Sequence, residues 1–404
     1  MELSEAQFHR YARHLILDEV GEEGQEKLLA SRVLVVGAGG LGSPLLLYLA
    51  AAGIGTLGII DHDKVDLTNL QRQIAHATER IGMAKVESAR QAIAAVNPEI
   101  RVESHATALD ATNVAALVAG YDLIADGSDN FATRYLLTDA CFAAKKPLVA
   151  AALAPFDGQL STYKPYLGAG HPCYRCLFRE APPPDLVPRC ETAGILGAVA
   201  GVVGTLQAVE ILKELLGIGD GLSGTLLMYD ALGARFQRIK LPKDPDCPTC
   251  GAGATVTTIR PATLADLAAV ERIVAASYEK YIARIGKKPG PMLDDYRRRI
   301  AEGAVSVASA EGAVAGLIVL LPESDHLLLD NVAVATNVQG KGIGRLLIDF
   351  AEAEARRRGY GEIRLYTHET MHENIALYPR LGYEETGRGA QAGYARVFFR
   401  KRLR

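Results

Sequence analysis

Short, unbroken apolar runs, each bounded by glycine or charge, recur through the first half of the chain. Val33-Leu34-Val35-Val36, Leu57-Gly58-Ile59-Ile60 and Leu123-Ile124-Ala125 lack the alternation of a half-exposed strand. They read as strands buried on both faces, the mark of a parallel sheet covered by helices. Stretches of helical period lie between them, near Pro44 to Ala52 and Lys85 to Val96. One or two helices are expected over residues 5 to 30, and a further strand at Ile100 to Ser104. Strand and helix thus alternate as in a doubly wound α/β sheet.

The pattern breaks between Tyr166 and Pro188, where Gly168, Gly170, Pro172 and Pro182-Pro183-Pro184 predict a long loop crossing the sheet. The apolar run Ile195 to Leu206 follows and passes into Gln207, Glu210 and Lys213. It is too short to cross roughly 30 Å of hydrocarbon, so it reads as a buried helix before a return strand near Leu226 to Tyr229. Gly251-Ala252-Gly253 is the candidate linker. From Thr258 a strand, a helix and the polar loop Lys287-Lys288-Pro289-Gly290-Pro291 lead to strands near Ala304 to Ala308, Val314 to Leu321 and Leu327 to Val334. Two domains are expected, 1–252 and 256–404, which suits a chain of 404 residues.

Composition narrows the partners. With 44 basic against 47 acidic residues and few aromatics, nothing suggests a nucleic-acid surface. The polar stretch Glu2 to Arg13 lacks the apolar core of a secretory signal, so a cytoplasmic chain without membrane partners is expected. Four of six cysteines form two close pairs, Cys173/Cys176 and Cys247/Cys250. Two knuckles of this spacing predict a closed, structural Zn2+ site tying the crossing loop to the end of the first domain. Redox-active pairs fit less well, because neither pair is expected to open a helix after a strand. Cys141, in an apolar segment, reads as a core residue.

Gly37-Ala38-Gly39-Gly40-Leu41-Gly42 follows a strand and opens a helix, a turn that lets backbone amides approach phosphates. Asp61, at the end of the next strand, is placed for ribose hydroxyls, which would suit NAD as readily as ATP. Asn69-Leu70-Gln71-Arg72-Gln73, then Lys85, then Asp129-Asn130 with Arg134, favour triphosphate chemistry. Two cations can neutralise phosphates while an aspartate holds Mg2+.

With Arg10-Tyr11-Ala12-Arg13-His14 ahead of them, these residues and the paired cysteines occur in the order of the ThiF/HesA/MoeB family, the bacterial relatives of ubiquitin-activating enzymes. The resemblance runs from about Leu3 to Gly251. Within the family, the chain most resembles molybdopterin-synthase adenylyltransferases, with thiamine-pathway enzymes next. The resemblance implies a Rossmann-like domain. It implies that Gly37, Gly39, Gly40, Gly42, Asp61, Asn69, Gln71, Arg72, Lys85, Asp129 and Asn130 bind ATP and Mg2+. It implies a homodimer, in which Arg13 reaches the neighbouring subunit's site. The substrate would be a ubiquitin-like sulfur carrier ending in Gly-Gly, adenylated on its terminal carboxylate, with a sulfurtransferase or cysteine desulfurase as a further partner. Cys190, before an apolar helix and beside Arg189, matches the family's loop cysteine and is a candidate for covalent chemistry.

Gln339-Gly340-Lys341-Gly342-Ile343-Gly344-Arg345 is expected to end a strand and start a long amphipathic helix, so that its amides cradle a pyrophosphate. Together with Asn374-Ile375-Ala376-Leu377-Tyr378, it resembles the GNAT family of N-acetyltransferases over Val256 to Arg404. That resemblance implies a mixed α/β domain binding acetyl-CoA through Gln339, Gly340, Gly342, Gly344, Arg345 and Asn374, with Tyr378 protonating the departing thiolate. Spacing does not choose a general base: His368, Glu369 and Asp330 remain alternatives, and a water chain would serve as well. His368 and His372, four apart, would share a face only if both were helical.

Overall fold

The computed structural model describes residues 3–180, 194–251, 257–310, 313–340 and 342–403. The chain divides into two compact units, Met1–Ala254 and Thr255–Arg404. Cys190, Lys341 and part of the candidate linker lie outside the described residues.

The first unit is built on one eight-stranded sheet. Its strands are β1 (Arg32–Val36), β2 (Thr56–Ile60), β3 (Arg101–His105), β4 (Leu123–Asp126), β5 (Leu148–Leu153), β6 (Asp157–Tyr163), β7 (Thr225–Asp230) and β8 (Arg235–Lys240). Their spatial order is β3-β2-β1-β4-β5-β6-β7-β8. β3 through β5 are parallel, and β5 to β8 pair antiparallel. β2 and β4 are buried along their whole length, as their unbroken apolar sequences require. The helix Lys85–Val96 falls where its period predicts. The helix Gly42–Ala52 begins before Pro44, because proline is tolerated in a first turn that needs no amide donor.

Strand order reverses between β1 and β4, and register decides what meets there. Val36 lies opposite both Ile60 and Asp126. Gly37, Asp61 and Gly127 therefore emerge side by side at the carboxyl edge of the sheet, the crevice where such sheets bind ligands. The apolar run after the crossing loop forms the helix Gly197–Leu216. It lies so close to the helix Gly42–Ala52 that a Cβ on Gly204 would sit 2.5 Å from the Leu41 carbonyl oxygen. Two of the polar residues that end the run, Gln207 and Glu210, are buried and bonded. Gln207 Nε2 donates to the Asp126 and Val149 carbonyls, each at 2.9 Å. Glu210 Oε1 accepts from Thr162 Oγ1 at 2.7 Å and the Leu222 amide at 2.6 Å. These bonds offset the desolvation that would otherwise oppose their burial.

The second unit carries a mixed seven-stranded sheet of β9 (Thr257–Pro261), β10 (Val305–Ala310), β11 (Ala313–Pro322), β12 (Leu327–Val334), β13 (Glu362–His368), β14 (Glu384–Gln391) and β15 (Tyr394–Arg402). The order is β14-β15-β13-β12-β11-β10-β9. Its one parallel pair, β12 and β13, is joined only where Leu327–Leu329 face Ile363–Leu365. Beyond that the two strands part. β12 bulges at the same place, since Leu329 and Asn331 face the consecutive residues Leu320 and Val319, leaving Asp330 unpaired. The helix Ile343–Arg357 closes one face with Ile343, Leu347, Ile348, Ala351 and Ala355. A one-turn 3-10 helix, Thr336–Val338, intervenes between β12 and the glycine turn, so Gln339 does not end the strand itself.

Candidate functional site

The glycine turn after β1 is held from several sides. A Cβ on Gly42 would lie 1.9 Å from the Gly37 carbonyl oxygen, and one on Gly37 would lie 3.0 Å from that of Gly127. Gly37 also has φ +94°, a conformation that only glycine adopts freely. Asp61 Oδ2 accepts the Ala38 amide at 2.9 Å, and its Oδ1 accepts the Asp63 amide at 2.8 Å. His76 is buried, with one ring nitrogen 2.9 Å from the Ala38 carbonyl and the other 2.9 Å from Ser88 Oγ. Burial lowers its pKa. The neutral ring suits both neighbours, donating to the carbonyl and accepting from the hydroxyl.

Residues 66–73 lay polar groups against this turn. Asp66 and Asn69 cap the 3-10 helix Leu67–Asn69 reciprocally. That turn carries Arg72 back over the glycines: its Nη1 donates to the Thr68 carbonyl at 3.0 Å, and its Cγ is 3.5 Å from a Cβ built on Gly40. The Gln73 amide nitrogen lies 3.8 Å from a Cβ built on Gly39, and its buried side-chain oxygen has no hydrogen-bond partner among the described residues. Gln71 abuts the start of the helix Gly197–Leu216, where a Cβ on Gly197 would be 2.2 Å from its carbonyl oxygen. Lys85 pairs with Asp63 at 2.8 Å, the lysine side chain 8% exposed and the carboxylate 53%. Burial pushes the Asp63 carboxyl up, but the bond to Lys85 and its charge outweigh that and hold it below the ordinary range.

Across the crevice, Asp129 is exposed and makes no hydrogen bond or ion pair among the described residues. Its carboxylate is open to a divalent cation, which takes oxygen ligands and keeps several waters. Asn130 caps the helix Phe131–Ala144 by accepting the Thr133 amide at 2.9 Å. Beneath them Asp126 is fully buried. It accepts the Ser128 amide at 2.8 Å through Oδ1, while Oδ2 has no hydrogen-bond partner among the described residues. Burial raises its pKa. Arg134 donates to the Ser128 carbonyl at 2.9 Å, which ties the helix Phe131–Ala144 to the turn that carries Asp129.

The four paired cysteines converge, with Cys173–Cys247 and Cys176–Cys250 sulfurs 3.4 Å apart, Cys173–Cys176 at 3.9 Å, and all four within 4.8 Å. Zinc–sulfur bonds of about 2.3 Å give tetrahedral edges of about 3.8 Å, so the cluster fits a zinc ion with no open position. Asp139 accepts from Arg175 at 2.8 Å and from Thr249 Oγ1 at 2.8 Å, joining both knuckles to the helix Phe131–Ala144. Cys173 is the N-cap of the one-turn helix Tyr174–Leu177, but that helix follows the 3-10 turn Pro165–Leu167 and a loop rather than a strand. Convergence of all four sulfurs, rather than that local geometry, distinguishes the cluster from a redox pair. Cys141 is buried in the core, as expected.

In the second unit, Gly340 and Gly342 have φ +81° and +84°, and an added Cβ on either would meet nothing within 4 Å. Gly342 opens the helix Ile343–Arg357 without a side-chain cap. The amides of its first turn are the groups a pyrophosphate would accept from. Gln339 Nε2 holds the Val334 carbonyl at 3.0 Å, and Arg345 pairs with Asp349 at 2.8 Å. Where β12 and β13 part, a cavity of about 300 Å³ is lined by Asp330, Tyr366, His368, Asn374 and Tyr378, among others. Asn374 donates to Thr367 Oγ1 at 3.2 Å. Tyr378 is buried against Tyr383 and Phe399, and burial pushes its hydroxyl up to about 12. His368 ends β13 and His372 starts a separate helix, so the two do not share a helical face.

Sequence profiles bear on both units. The ThiF family profile matches residues 11–249. This chain belongs to the ThiF family. The Acetyltransferase (GNAT) family profile matches residues 269–383, within the second unit. The chain is 49% identical over 253 residues to the SAMP-activating enzyme E1 of Haloferax volcanii, covering 63% of this chain and 92% of that protein. It is 47% identical over 253 residues to the Sulfur carrier protein adenylyltransferase of Thermus thermophilus, covering 62% and 93%. It is 46% identical over 258 residues to Adenylyltransferase and sulfurtransferase MOCS3 of Aedes aegypti, covering 64% of this chain but 58% of that one. A crystal structure of E. coli MccB with ATP shares the fold, with TM-score 0.52 at 23% identity over 60% of this chain and 74% of that one.

The ThiF-family unit gathers the glycine turn, Asp61, Asn69, Gln71 and Arg72 around one crevice edge, with Lys85 joined to it through Asp63. Asp129 and Asn130 follow β4 on its other side. Arg13 lies exposed in the last turn of the helix Glu5–Leu15 and bonds to none of these residues. Sequence reading missed His76, Asp63 and Asp126. Asp63 stands two residues after Asp61 and His76 three after Gln73, but nothing local in the sequence announces a bond to Ala38 or Lys85. No helix among the described residues is long and apolar enough to cross a membrane.

Proposed function

We propose that the first unit uses ATP to adenylate the C-terminal glycine carboxylate of a ubiquitin-like sulfur-carrier protein, releasing pyrophosphate. The carrying observation is the crevice at the strand-order reversal. There the glycine turn, with Arg72 laid over Gly40, faces the open carboxylate of Asp129 across β1 and β4. The names of the relatives, sulfur carrier protein adenylyltransferase and SAMP-activating enzyme E1, support the same reading. Arg72 and Lys85 neutralise phosphate charge, and the amides after Gly37 and at the start of the helix Gly42–Ala52 orient it. Asp129 would hold Mg2+, which would supply further charge neutralisation at the phosphates. The carrier's carboxylate attacks the α-phosphorus, a step that positioning and electrostatics accelerate. Asp63 sets where the Lys85 ammonium sits before ATP arrives. Zn2+ in the four-cysteine cluster is structural. In a homodimer, Arg13 serves the partner's crevice. The favoured carrier is of the molybdopterin-synthase type, with thiamine-type and other sulfur carriers as the alternatives.

The second unit transfers acetyl from acetyl-CoA to an amine. The glycine turn takes the pyrophosphate, the parted strands take the pantetheine arm, and Tyr378, protonated at neutral pH, hands its proton to the leaving thiolate.

ATP–pyrophosphate exchange with a panel of Gly-Gly-ending carriers tests the first activity. Exchange that needs one carrier and is lost in Asp129→Ala is expected. Exchange with none of them would refute the reading.

A further inference from the structure

The cavity at the strand parting has a charge pattern that nothing above has used. Asp294 and Arg299 on its wall pair with each other at 3.0 Å. Asp330 and Arg396 also line it, and neither has an ion-pair partner among the described residues. Asp330 projects from the bulge in β12 and accepts a hydrogen bond from the Tyr366 hydroxyl. Arg396 lies over the same ring, its guanidinium carbon 3.6 Å from the centroid, and its Nη1 donates to Gln391 Oε1 at 3.0 Å. One tyrosine therefore separates a carboxylate from a guanidinium on one cavity wall, neither of them in an ion pair among the described residues, with Arg299, itself paired to Asp294, the further cation that acts on Asp330. His368 does not alter this balance. The Thr370 amide donates to its Nδ1 at 3.2 Å, which leaves the proton on Nε2, and burial lowers its pKa.

We propose that this cavity is the acceptor site of the second unit and that it takes a small zwitterion, an α-amino acid, whose ammonium faces Asp330 and whose carboxylate faces Arg396. The inference rests on the acetyl-transfer reading and names its acceptor class. A neutral or purely cationic amine would leave Arg396 without a counter-charge in a partly desolvated wall, whereas a zwitterion satisfies both groups. Asp330 takes one proton from the bound ammonium. The freed amine attacks the thioester carbonyl carbon, the carbon–sulfur bond breaks, and Tyr378 protonates the thiolate. The proton still on nitrogen returns to Tyr378, so that one amide, one coenzyme A thiol and one proton are formed. The aromatic walls, Tyr278, Tyr366 and Tyr394, favour an apolar or aromatic side chain.

The test uses the full chain, with thiol release from acetyl-CoA measured against L-phenylalanine and L-tyrosine beside phenethylamine and tyramine, which lack only the carboxylate. Amino acids are expected to be better acceptors by on the order of 10- to 100-fold in kcat/KM. Arg396→Gln should bring that ratio close to one, and Arg396→Lys should restore part of it. Calorimetric binding of acetyl-CoA to each variant shows whether the unit has folded. Equal use of amines and amino acids, or a ratio that Arg396→Gln leaves intact, would overturn the zwitterion. Binding of acetyl-CoA with no amino acid in the panel acetylated would overturn the acceptor class and leave the cofactor reading standing. Failure of the wild-type chain to bind acetyl-CoA would remove both.

Discussion

The chain carries two glycine turns that open helices; both use positive φ angles, but close packing adds a second need for glycine in the first. In the first, Gly42 is glycine because the Gly37 carbonyl would be 1.9 Å from its Cβ. The loop's polar groups are also taken up by distant residues, Ala38 N by Asp61 and Ala38 O by His76. In the second, Gly340 and Gly342 face open space and are glycine because their φ angles are positive. The first turn combines a positive φ at Gly37 with close packing by its surroundings, whereas at Gly340 and Gly342 the described residues show the positive φ without such packing. A motif that looks alike in the sequence can thus be rigid in one unit and locally determined in the other.

If that contrast is right, breaking a restraint on the first turn should cost more than straining the second. The largest effect is expected for Gly42→Ala, where backbone must move. A loss of more than about 4 kcal/mol should eliminate the first unit's thermal transition together with ATP–pyrophosphate exchange, and calorimetry on the full chain measures it. Cys250→Ala should release the metal, read as zinc per chain by elemental analysis, and lower the first unit's stability by about 3 kcal/mol or more. His76→Gln is expected to cost about 1–3 kcal/mol through the bonds at Ala38 and Ser88.

That variant also tests a pH dependence. Because the folded pKa of His76 lies below its unfolded value, the unfolded chain binds the proton more readily. The stabilisation from the neutral ring is complete above about pH 6.5 and is lost as pH falls through the depressed folded value. Wild-type unfolding temperatures should fall over that window, and those of His76→Gln should fall less. The smallest effect is expected for Gly342→Ala, a strain of about 1–2 kcal/mol in the second unit's transition. A larger loss there than for Gly42→Ala would reverse the comparison.

Much of the fold was legible because its signals are local. Unbroken apolar runs marked β1, β2 and β4, the period of Lys85–Val96 gave its helix with the right ends, and two knuckles of cysteine announced the cluster. The polar tail of the run at Gln207 and Glu210 read as part of a buried helix, but their roles did not, since each bonds to strands far away in sequence. The same holds for the site. Gly37 to Gly42, Arg72 and Asp129 stand out by type and order, whereas the Asp63–Lys85 pair and the His76 bridge exist only once β2 and the helix Lys85–Val96 are packed.

The sequence by itself determined the strands with unbroken apolar runs, such as β1, β2 and β4, the turns that would need glycine and the cysteines that would group, because propensity, period and ligand spacing act over a few residues. Tertiary structure decided register and closure. Register set Gly37, Asp61 and Gly127 abreast at one sheet edge. The parting of β12 from β13 opened a cavity, and packing left Asp330 and Arg396 on its wall without ion-pair partners among the described residues. Such facts depend on contacts between residues tens of positions apart, whose geometry is fixed only when the whole sheet has formed.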